Sequence, residues 1–157
     1  MDYNRRIVDD LLDELMPQLP AILLDGPKAV GKTSTASQRA KTIKRLDRQE
    51  EKTLAAANPA WITHGEAPIL LDEWQHSPEV WGKIKSAVDA NYTGGQYLLT
   101  GSLPSVATHS GAGRIASIRM RPLSLAEREL AKPTVSLKKL LAGSANIEGE
   151  TEIGLGE

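Results

Sequence analysis

Ala-Ile-Leu-Leu-Asp-Gly-Pro-Lys-Ala-Val-Gly-Lys-Thr, residues 21–33, decides the fold of this chain. The apolar run 21–24 is typical of a buried strand, and residues 26–33 satisfy the pattern G-x-x-x-x-G-K-(S/T). A helix is predicted over residues 32–39. A glycine-rich loop between a buried strand and a helix can turn successive backbone N–H groups toward one anion. The stretch therefore predicts a loop that cradles phosphate.

The positions of this loop have different expected roles. Gly26 and Gly31 permit backbone angles that bring N–H groups inward, Lys32 is expected to reach the β- and γ-phosphates of a nucleotide, and Thr33 to place its hydroxyl on Mg²⁺. The other residues expected to line the nucleotide are Pro27, Lys28, Ala29, Val30 and Ser34. The alternative is a glycine turn that carries Lys-Thr by chance, which the flanking strand and helix argue against.

Strands and helices are predicted to alternate along the rest of the chain. Apolar runs predict strands at residues 68–71, 96–100 and 115–121, with a weaker one at 42–47. Helical patterns are predicted at residues 7–16, 48–57, 124–130 and 135–141, and a further helix is predicted to start with Ser77 as its N-cap. This alternation favours an α/β fold, with a mainly parallel sheet covered by helices on both faces.

The first helix is predicted to be amphipathic. Its apolar face contains Ile7, Val8, Leu11, Leu12, Leu15 and Met16. Its polar face is expected to contain Arg5, Arg6, Asp9, Asp10, Asp13 and Glu14.

Two adjacent acids, Asp72 and Glu73, directly follow the apolar run 69–71. Ligands of parallel sheets bind at the carboxyl ends of the strands. If this strand lies beside the one that precedes Gly26, Asp72 would hold Mg²⁺, usually through a water, and Glu73 would orient the attacking water and accept its proton. The alternative is that the two acids simply end a strand and begin a turn.

The apolar run that ends at Thr100 delivers hydroxyl groups to the same edge. Thr100 or Ser102 could sense the γ-phosphate or hold the water. The alternative is an ordinary turn cap at Ser102.

Arginines dominate the interval between Asp89 and Glu127, which contains no acidic residue. Arg114 stands in a loop of small residues and could supply charge to a transition state, in cis or from a neighbouring subunit. The alternative is a surface arginine. Arg119 and Arg121 share one strand face and are expected to be solvated.

Composition narrows the class of protein. The chain has 157 residues, a net charge of −1 and no cysteine. Disulfides and thiolate metal sites are thereby excluded, and no overall attraction to nucleic acid is expected, although a local contact stays open. No signal sequence and no apolar segment of membrane-spanning length is found, so we expect a cytoplasmic protein with no membrane contact.

With GPKAVGKT, ILLDE, YLLTGS and GAGRI in this order, the chain resembles the ATPase domain of the AAA+-like bacterial and archaeal family that usually carries a DUF4143 C-terminal region. The resemblance spans residues 1–130 and implies an ASCE-type P-loop fold with a five-stranded, mainly parallel sheet, and ATP as the nucleotide. It matches residues 26–33 to Walker A, Asp72 and Glu73 to Walker B, residues 100–102 to the sensor strand end, and Arg114 to the arginine of the A-G-R stretch. Residues 131–157 are expected to form a short helix and a mobile Gly- and Glu-rich tail.

Three functions compete at this point. The first is a Mg-dependent ATPase that drives a conformational switch. Such an ATPase is expected to act on a protein partner or on a missing C-terminal effector region, or to form a homo-oligomer through Arg114. The second is a small P-loop kinase in which Arg114, Arg119 and Arg121 close over an acceptor. The third is a nucleotide-binding module, or a truncated ATPase, with little turnover.

Overall fold

The computed structural model describes residues 3–102, 113–124, 126–128 and 136–143. Its strands are β1 (Ala21–Asp25), β2 (Thr42–Arg45), β3 (Ile69–Asp72), β4 (Tyr97–Gly101) and β5 (Ile115–Arg119). They form one five-stranded sheet in the order β2-β3-β4-β1-β5, and each neighbouring pair is parallel. The predicted parallel α/β sheet is confirmed.

The strands alternate with helices as the sequence indicates. The helices are α1 (Ile7–Leu15), α2 (Lys32–Ser37), α3 (Gln49–Ala57), α4 (Glu79–Ala90) and α5 (Leu137–Leu141), and two short 3₁₀ helices cover Pro59–Thr63 and Trp74–His76. None of the described helices is long and apolar enough to cross a membrane.

Two separate apolar cores lie against the two faces of the sheet. Successive residues of a strand point to opposite faces, so each strand contributes to both cores. One core joins the strand residues Ile22, Leu24, Leu70 and Leu98 to Leu12 of α1 and Ala36 of α2. The other joins the strand residues Leu23, Leu71 and Leu99 to Ala55, Ile62, Val80 and Ile84 from the helices that follow β2 and β3. This arrangement gives the predicted three-layer α/β/α architecture of a P-loop fold.

The acid-bearing strand β3 is not a direct neighbour of β1. The role of Asp72 was conditional on these two strands lying side by side, but β4 lies between them and pairs with both. Apolar runs of similar length and composition can exchange places in a parallel sheet, so their order cannot be found from hydrophobicity alone. Helix α4 also departs slightly from expectation, because Pro78 and not Ser77 occupies its N-cap position.

The chain divides into two compact units, Met1–Pro122 and Leu123–Glu157. The first contains the whole sheet. In the second, the helix predicted at 124–130 is described only in part, as a turn in which the N–H of Arg128 bonds the carbonyl of Ser124 at 3.1 Å. Residues 103–112 and 144–157, which include the predicted mobile tail, lie outside the described residues, and a domain boundary near residue 130 stays a prediction.

Candidate functional site

The loop of residues 26–33 has a backbone that its glycines make possible. Gly26 follows β1 with φ +148°, and a Cβ atom at this position would lie 2.2 Å from the carbonyl oxygen of Met120. Gly31 has φ +93° and directly precedes α2. Ala29 also has a positive φ, at 63°, which costs a non-glycine residue about 1–3 kcal/mol unless its surroundings hold it in place. The loop is therefore tightly constrained on the side of β5.

The ammonium group of Lys32 lies within this loop. The residue is only 4% exposed, and its Nζ donates to the carbonyl oxygens of Gly26 at 3.0 Å and Pro27 at 2.7 Å. A buried cation held over carbonyls of a turn is poised to exchange them for oxygens of greater negative charge. Lys28 and Ser34, also expected to line the nucleotide, are both exposed.

Asp72 connects three elements of the fold. Its Oδ1 accepts hydrogen bonds from the hydroxyl of Thr33 at 2.7 Å and from the hydroxyl of Thr100 at 2.5 Å. Thr33 belongs to α2, Asp72 ends β3, and Thr100 lies in the intervening strand β4. The structure thus brings the loop and the acid pair together across β4.

Thr100 fixes the geometry of both acids. Its side chain is fully buried, and besides donating to Asp72 its Oγ1 accepts the backbone N–H of Glu73 at 3.1 Å. Thr100 or Ser102 is predicted to sense the γ-phosphate or hold the water; the hydroxyl of Thr100 bonds both acids, and a contact of either residue with a nucleotide stays a prediction. Of the two hydroxyl residues at the end of β4, Ser102 is the one that is partly exposed.

Glu73 adopts a backbone conformation that is rare for a glutamate. Its φ of 55° and ψ of 47° lie in the left-handed region, which is sparsely populated by residues other than glycine. Its carboxylate Oε2 lies 2.5 Å from Nε2 of Gln75 and 3.3 Å from the hydroxyl of Ser102. The sequence analysis assigned no role to Gln75. Its position two residues after Glu73 was the one feature that could have suggested this contact.

The pair of oxygens on Thr33 and Asp72 fits a magnesium ion. The two atoms share a hydrogen bond and are 2.7 Å apart, somewhat closer than the separation of about 3.0 Å expected for adjacent ligands of an octahedral ion with bonds of about 2.1 Å. Mg²⁺ is commonly bound by one or two protein oxygens together with phosphates and water. Across the described residues, no group of three or more His, Cys, Asp or Glu could hold a metal.

Arg114 lies away from this site. It directly precedes β5, whose first residue Ile115 pairs with Ala21, so it stands at the amino edge of the sheet, opposite the phosphate loop. Its Nε bonds Oδ1 of Asp89 at 2.6 Å. The structure therefore does not bring Arg114 together with residues 26–33, and the proposed action in cis is not supported by its position.

Arg119 lies at the edge of the sheet that carries the site. It pairs with Asp25, the residue before the loop, and its Nε is 3.9 Å from Oδ2 of Asp25. Its side chain is 64% exposed, in accordance with the expected solvated face. Arg119 is thus the arginine of β5 nearest the loop in strand register.

Arg6 was expected on a solvated helix face, but it is buried and holds the phosphate loop by a hydrogen bond. It is only 7% exposed, and its guanidinium donates to the carbonyl of Val30 at 2.8 Å and the carbonyl of Arg121 at 2.9 Å. A Cβ on Gly31 would lie 3.3 Å from its NH1. Helix propensity and amphipathic pattern cannot reveal such a contact, because Val30 lies 24 residues away.

Asp9, also expected to be solvated, is 1% exposed and connects α1 to Arg39, which directly follows α2 and its C-cap. Its carboxylate accepts hydrogen bonds from the Tyr3 hydroxyl, the Arg6 N–H and the Arg39 guanidinium, at distances of 2.7, 2.6 and 2.6 Å. Burial raises the pKa of Asp9, but these hydrogen bonds outweigh it and hold the pKa below its usual value. The apolar Ile7, which was expected to face the core, is by contrast 67% exposed.

Comparison with known proteins agrees with this geometry. A family model described as an AAA domain matches residues 18–129, more than two thirds of the chain, and this range includes the loop, the acid pair and all five strands. No curated protein matches the sequence. The chain therefore belongs to the AAA domain family, a family of nucleotide-binding domains of the ATPase type.

Proposed function

We propose that this protein binds ATP with Mg²⁺ at residues 26–33 and hydrolyses it to ADP and phosphate, with Glu73 as the group that activates water. The observation that supports this most is the contact of 2.7 Å between the Thr33 hydroxyl and Asp72. It joins the end of the phosphate loop to the first acid of the pair, and Glu73 is the next residue along the chain.

The loop supplies the contacts that would hold the triphosphate. Backbone N–H groups of residues 26–33 would bind phosphate oxygens, and Lys32 would exchange its two carbonyl partners for the β- and γ-phosphates. Thr33 and Asp72 would hold the magnesium ion, which when bound neutralises charge on those phosphates.

Glu73 would act on the water. The water oxygen attacks the γ-phosphorus, the bond from that phosphorus to the oxygen bridging to the β-phosphate breaks, and the water proton passes to the carboxylate of Glu73. Thr100 favours this role because it fixes the backbone of Glu73 and the carboxylate of Asp72 at the same time.

The kinase alternative loses one of its supports. Arg114 directly precedes β5 and Arg119 ends it, so the two arginines stand at opposite edges of the sheet, which does not favour their joint closure over one acceptor. A nucleotide-binding module with little turnover remains as the competing proposal.

Our proposal includes a conformational output. Arg6 contacts the loop residue Val30, so a movement of the loop during turnover would act directly on α1. Residues 1–130 would form the ATPase domain. The output would pass to a protein partner, to a C-terminal effector region of the kind expected from the family resemblance, or to a second copy of the chain that receives Arg114.

A phosphate-release assay with nucleotide titration tests this function. The protein should convert Mg-ATP to ADP and phosphate in equal amounts without any acceptor, and Lys32→Ala should abolish this activity, while Lys41→Ala, which changes a lysine that is 57% exposed, should preserve it. Binding without phosphate release would favour the module. Release of ADP that requires an added acceptor would favour the kinase.

A further inference from the structure

The side chain of Gln75 turns back onto the candidate catalytic acid. Its Nε2 donates to Oε2 of Glu73 at 2.5 Å and also lies 3.3 Å from the hydroxyl of Ser102. Ser102 in turn donates to the same oxygen of Glu73 at 3.3 Å. Gln75, Ser102 and Glu73 thus form a closed triangle of hydrogen bonds, and two neutral donors meet a single carboxylate oxygen.

The orientation of the Gln75 amide is determined by its neighbour. The carboxylate of Glu73 only accepts hydrogen bonds when ionised, so the amide must present its N–H group to it. The consequence is that Oε1 of Gln75 is buried without a hydrogen-bond partner. Leaving a buried acceptor without a partner costs free energy. The amide nevertheless keeps its N–H on Glu73, so this hydrogen bond offsets the unpaired oxygen.

Gly101 leaves the space in which this amide lies. A Cβ at position 101 would approach Nε1 of Trp74 to 2.8 Å and Oε1 of Gln75 to 3.1 Å. Trp74 is itself held by Trp81, with ring centroids 4.8 Å apart. The amide therefore lies beside Gly101 at the end of β4, close to the ring of Trp74.

We propose that Gln75 is a positioning residue for Glu73. It holds Oε2 against Ser102, and this leaves Oε1 of Glu73, which has no donor among the described residues, as the oxygen that receives the proton from water. This inference rests on the proposed hydrolysis. Neither the phosphate loop nor Asp72 would fix the orientation of the Glu73 carboxylate, and Gln75 would do so.

Removing the amide should affect turnover and spare binding. Gln75→Ala should lower kcat by about tenfold to a hundredfold, because a misplaced general base loses its alignment with water. The dissociation constant for Mg-ATP should change by less than about twofold. Gln18→Ala is the matched control, since Gln18 is exposed and its side chain, within the described part of the chain, bonds the backbone carbonyl of Glu14. An unchanged kcat in a folded Gln75→Ala protein would overturn the inference.

A carboxyl group in place of the amide gives a signature that packing alone would not. Gln75→Glu should lower kcat strongly at neutral pH, because two carboxylates would then face each other. As the pH falls and the new carboxyl group takes up a proton, it again donates to Glu73, and the ratio of variant to wild-type kcat should rise. A ratio that stays constant across the pH range would contradict positioning by hydrogen bonding.

A measurement independent of turnover separates this inference from the proposed function. In ¹⁵N-labelled protein, the side-chain amide resonances that disappear in Gln75→Ala belong to Gln75. Their chemical shifts should change in Glu73→Ala and should also respond to Mg-ATP. If the wild-type protein releases no phosphate, hydrolysis is refuted, whereas an amide signal unaffected by Glu73→Ala would refute the Gln75 contact itself.

Discussion

The hydroxyl of Thr33 lies 2.7 Å from Oδ1 of Asp72, although the strands that lead to these residues are not neighbours. Strand β4 separates them and contributes Thr100, whose hydroxyl bonds the same oxygen of Asp72 at 2.5 Å. The three side chains join the phosphate loop, the acid pair and the intervening strand at one point. The proposed binding of Mg-ATP depends on this junction.

The first prediction concerns the metal. Thr33→Ala removes one of the two oxygens that would hold Mg²⁺, so it should weaken binding of Mg-ATP by about tenfold while changing binding of metal-free ATP by less than about threefold. Isothermal titration with and without Mg²⁺ measures both constants. Thr53→Ala is the control, because its hydroxyl is exposed on α3 and bonds the carbonyl of Gln49 one helical turn earlier. Equal losses with and without the metal would contradict the assignment.

The second prediction concerns the buried arginine. Arg6→Gln leaves the carbonyls of Val30 and Arg121 without their cationic donor, which should cost about 2–4 kcal/mol of unfolding free energy and should also weaken ATP binding. Urea unfolding and ATP titration measure the two effects. Arg5→Gln, at a neighbouring side chain that is 62% exposed, should change neither quantity appreciably. Normal ATP affinity in a folded Arg6→Gln protein would show that Arg6 does not support the loop.

The third prediction concerns Lys44, which is 3% exposed and lies 4.4 Å from the centre of the Trp61 ring. Its ammonium also donates to the carbonyls of Trp61, Ile62 and His64. Burial lowers the pKa of Lys44 from 10.5 to about 8, although the charge of Glu51 acts in the opposite direction.

The sign of the resulting pH dependence follows from proton uptake. Between about pH 8 and pH 10.5 the unfolded chain binds more protons at Lys44 than the folded chain, so stability should rise with pH, by at most about 1.4 kcal/mol per pH unit. Lys44→Met should remove this rise, whereas the exposed Lys41→Met should keep it. Urea unfolding across this interval measures the slope, and identical slopes in wild type and Lys44→Met would contradict the lowered pKa.

The fourth prediction concerns Arg114. Because it bonds Asp89 at the amino edge of the sheet, Arg114→Ala should leave the rate per chain of dilute protein within about twofold of wild type. If a second copy receives this arginine, the wild-type rate per chain should rise with protein concentration, and the variant should lose that rise. A large loss at high dilution would show that Arg114 acts within its own chain.

Most of the fold could be predicted from local patterns in the sequence. The loop residues 26–33 and the acids Asp72 and Glu73 could be predicted because each lies within a few residues of an apolar strand, where spacing alone determines position. The alternating helices and strands gave the parallel sheet for the same reason. Helix and strand boundaries differed by only a few residues.

Contacts between distant parts of the chain could not be predicted. The position of β4 between β1 and β3 could not be predicted from apolar runs of similar length, and neither could the hydrogen bonds of Thr100 to both acids. Arg6 and Asp9 looked like a solvated helix face because their partners, Val30 and Arg39, are far away in sequence. Arg114 was proposed to act on the transition state because it stands in a loop of small residues. The direction of β5 instead puts Arg114 at the amino edge of the sheet.

The replacement of Glu73 by Gln tests the central claim most directly. The amide is nearly the same size as the carboxylate but cannot accept the water proton, so Mg-ATP should bind with a dissociation constant within about threefold of wild type while phosphate release falls by about a hundredfold or more. Undiminished phosphate release by the Glu73→Gln protein would show that another group activates water and would contradict the account.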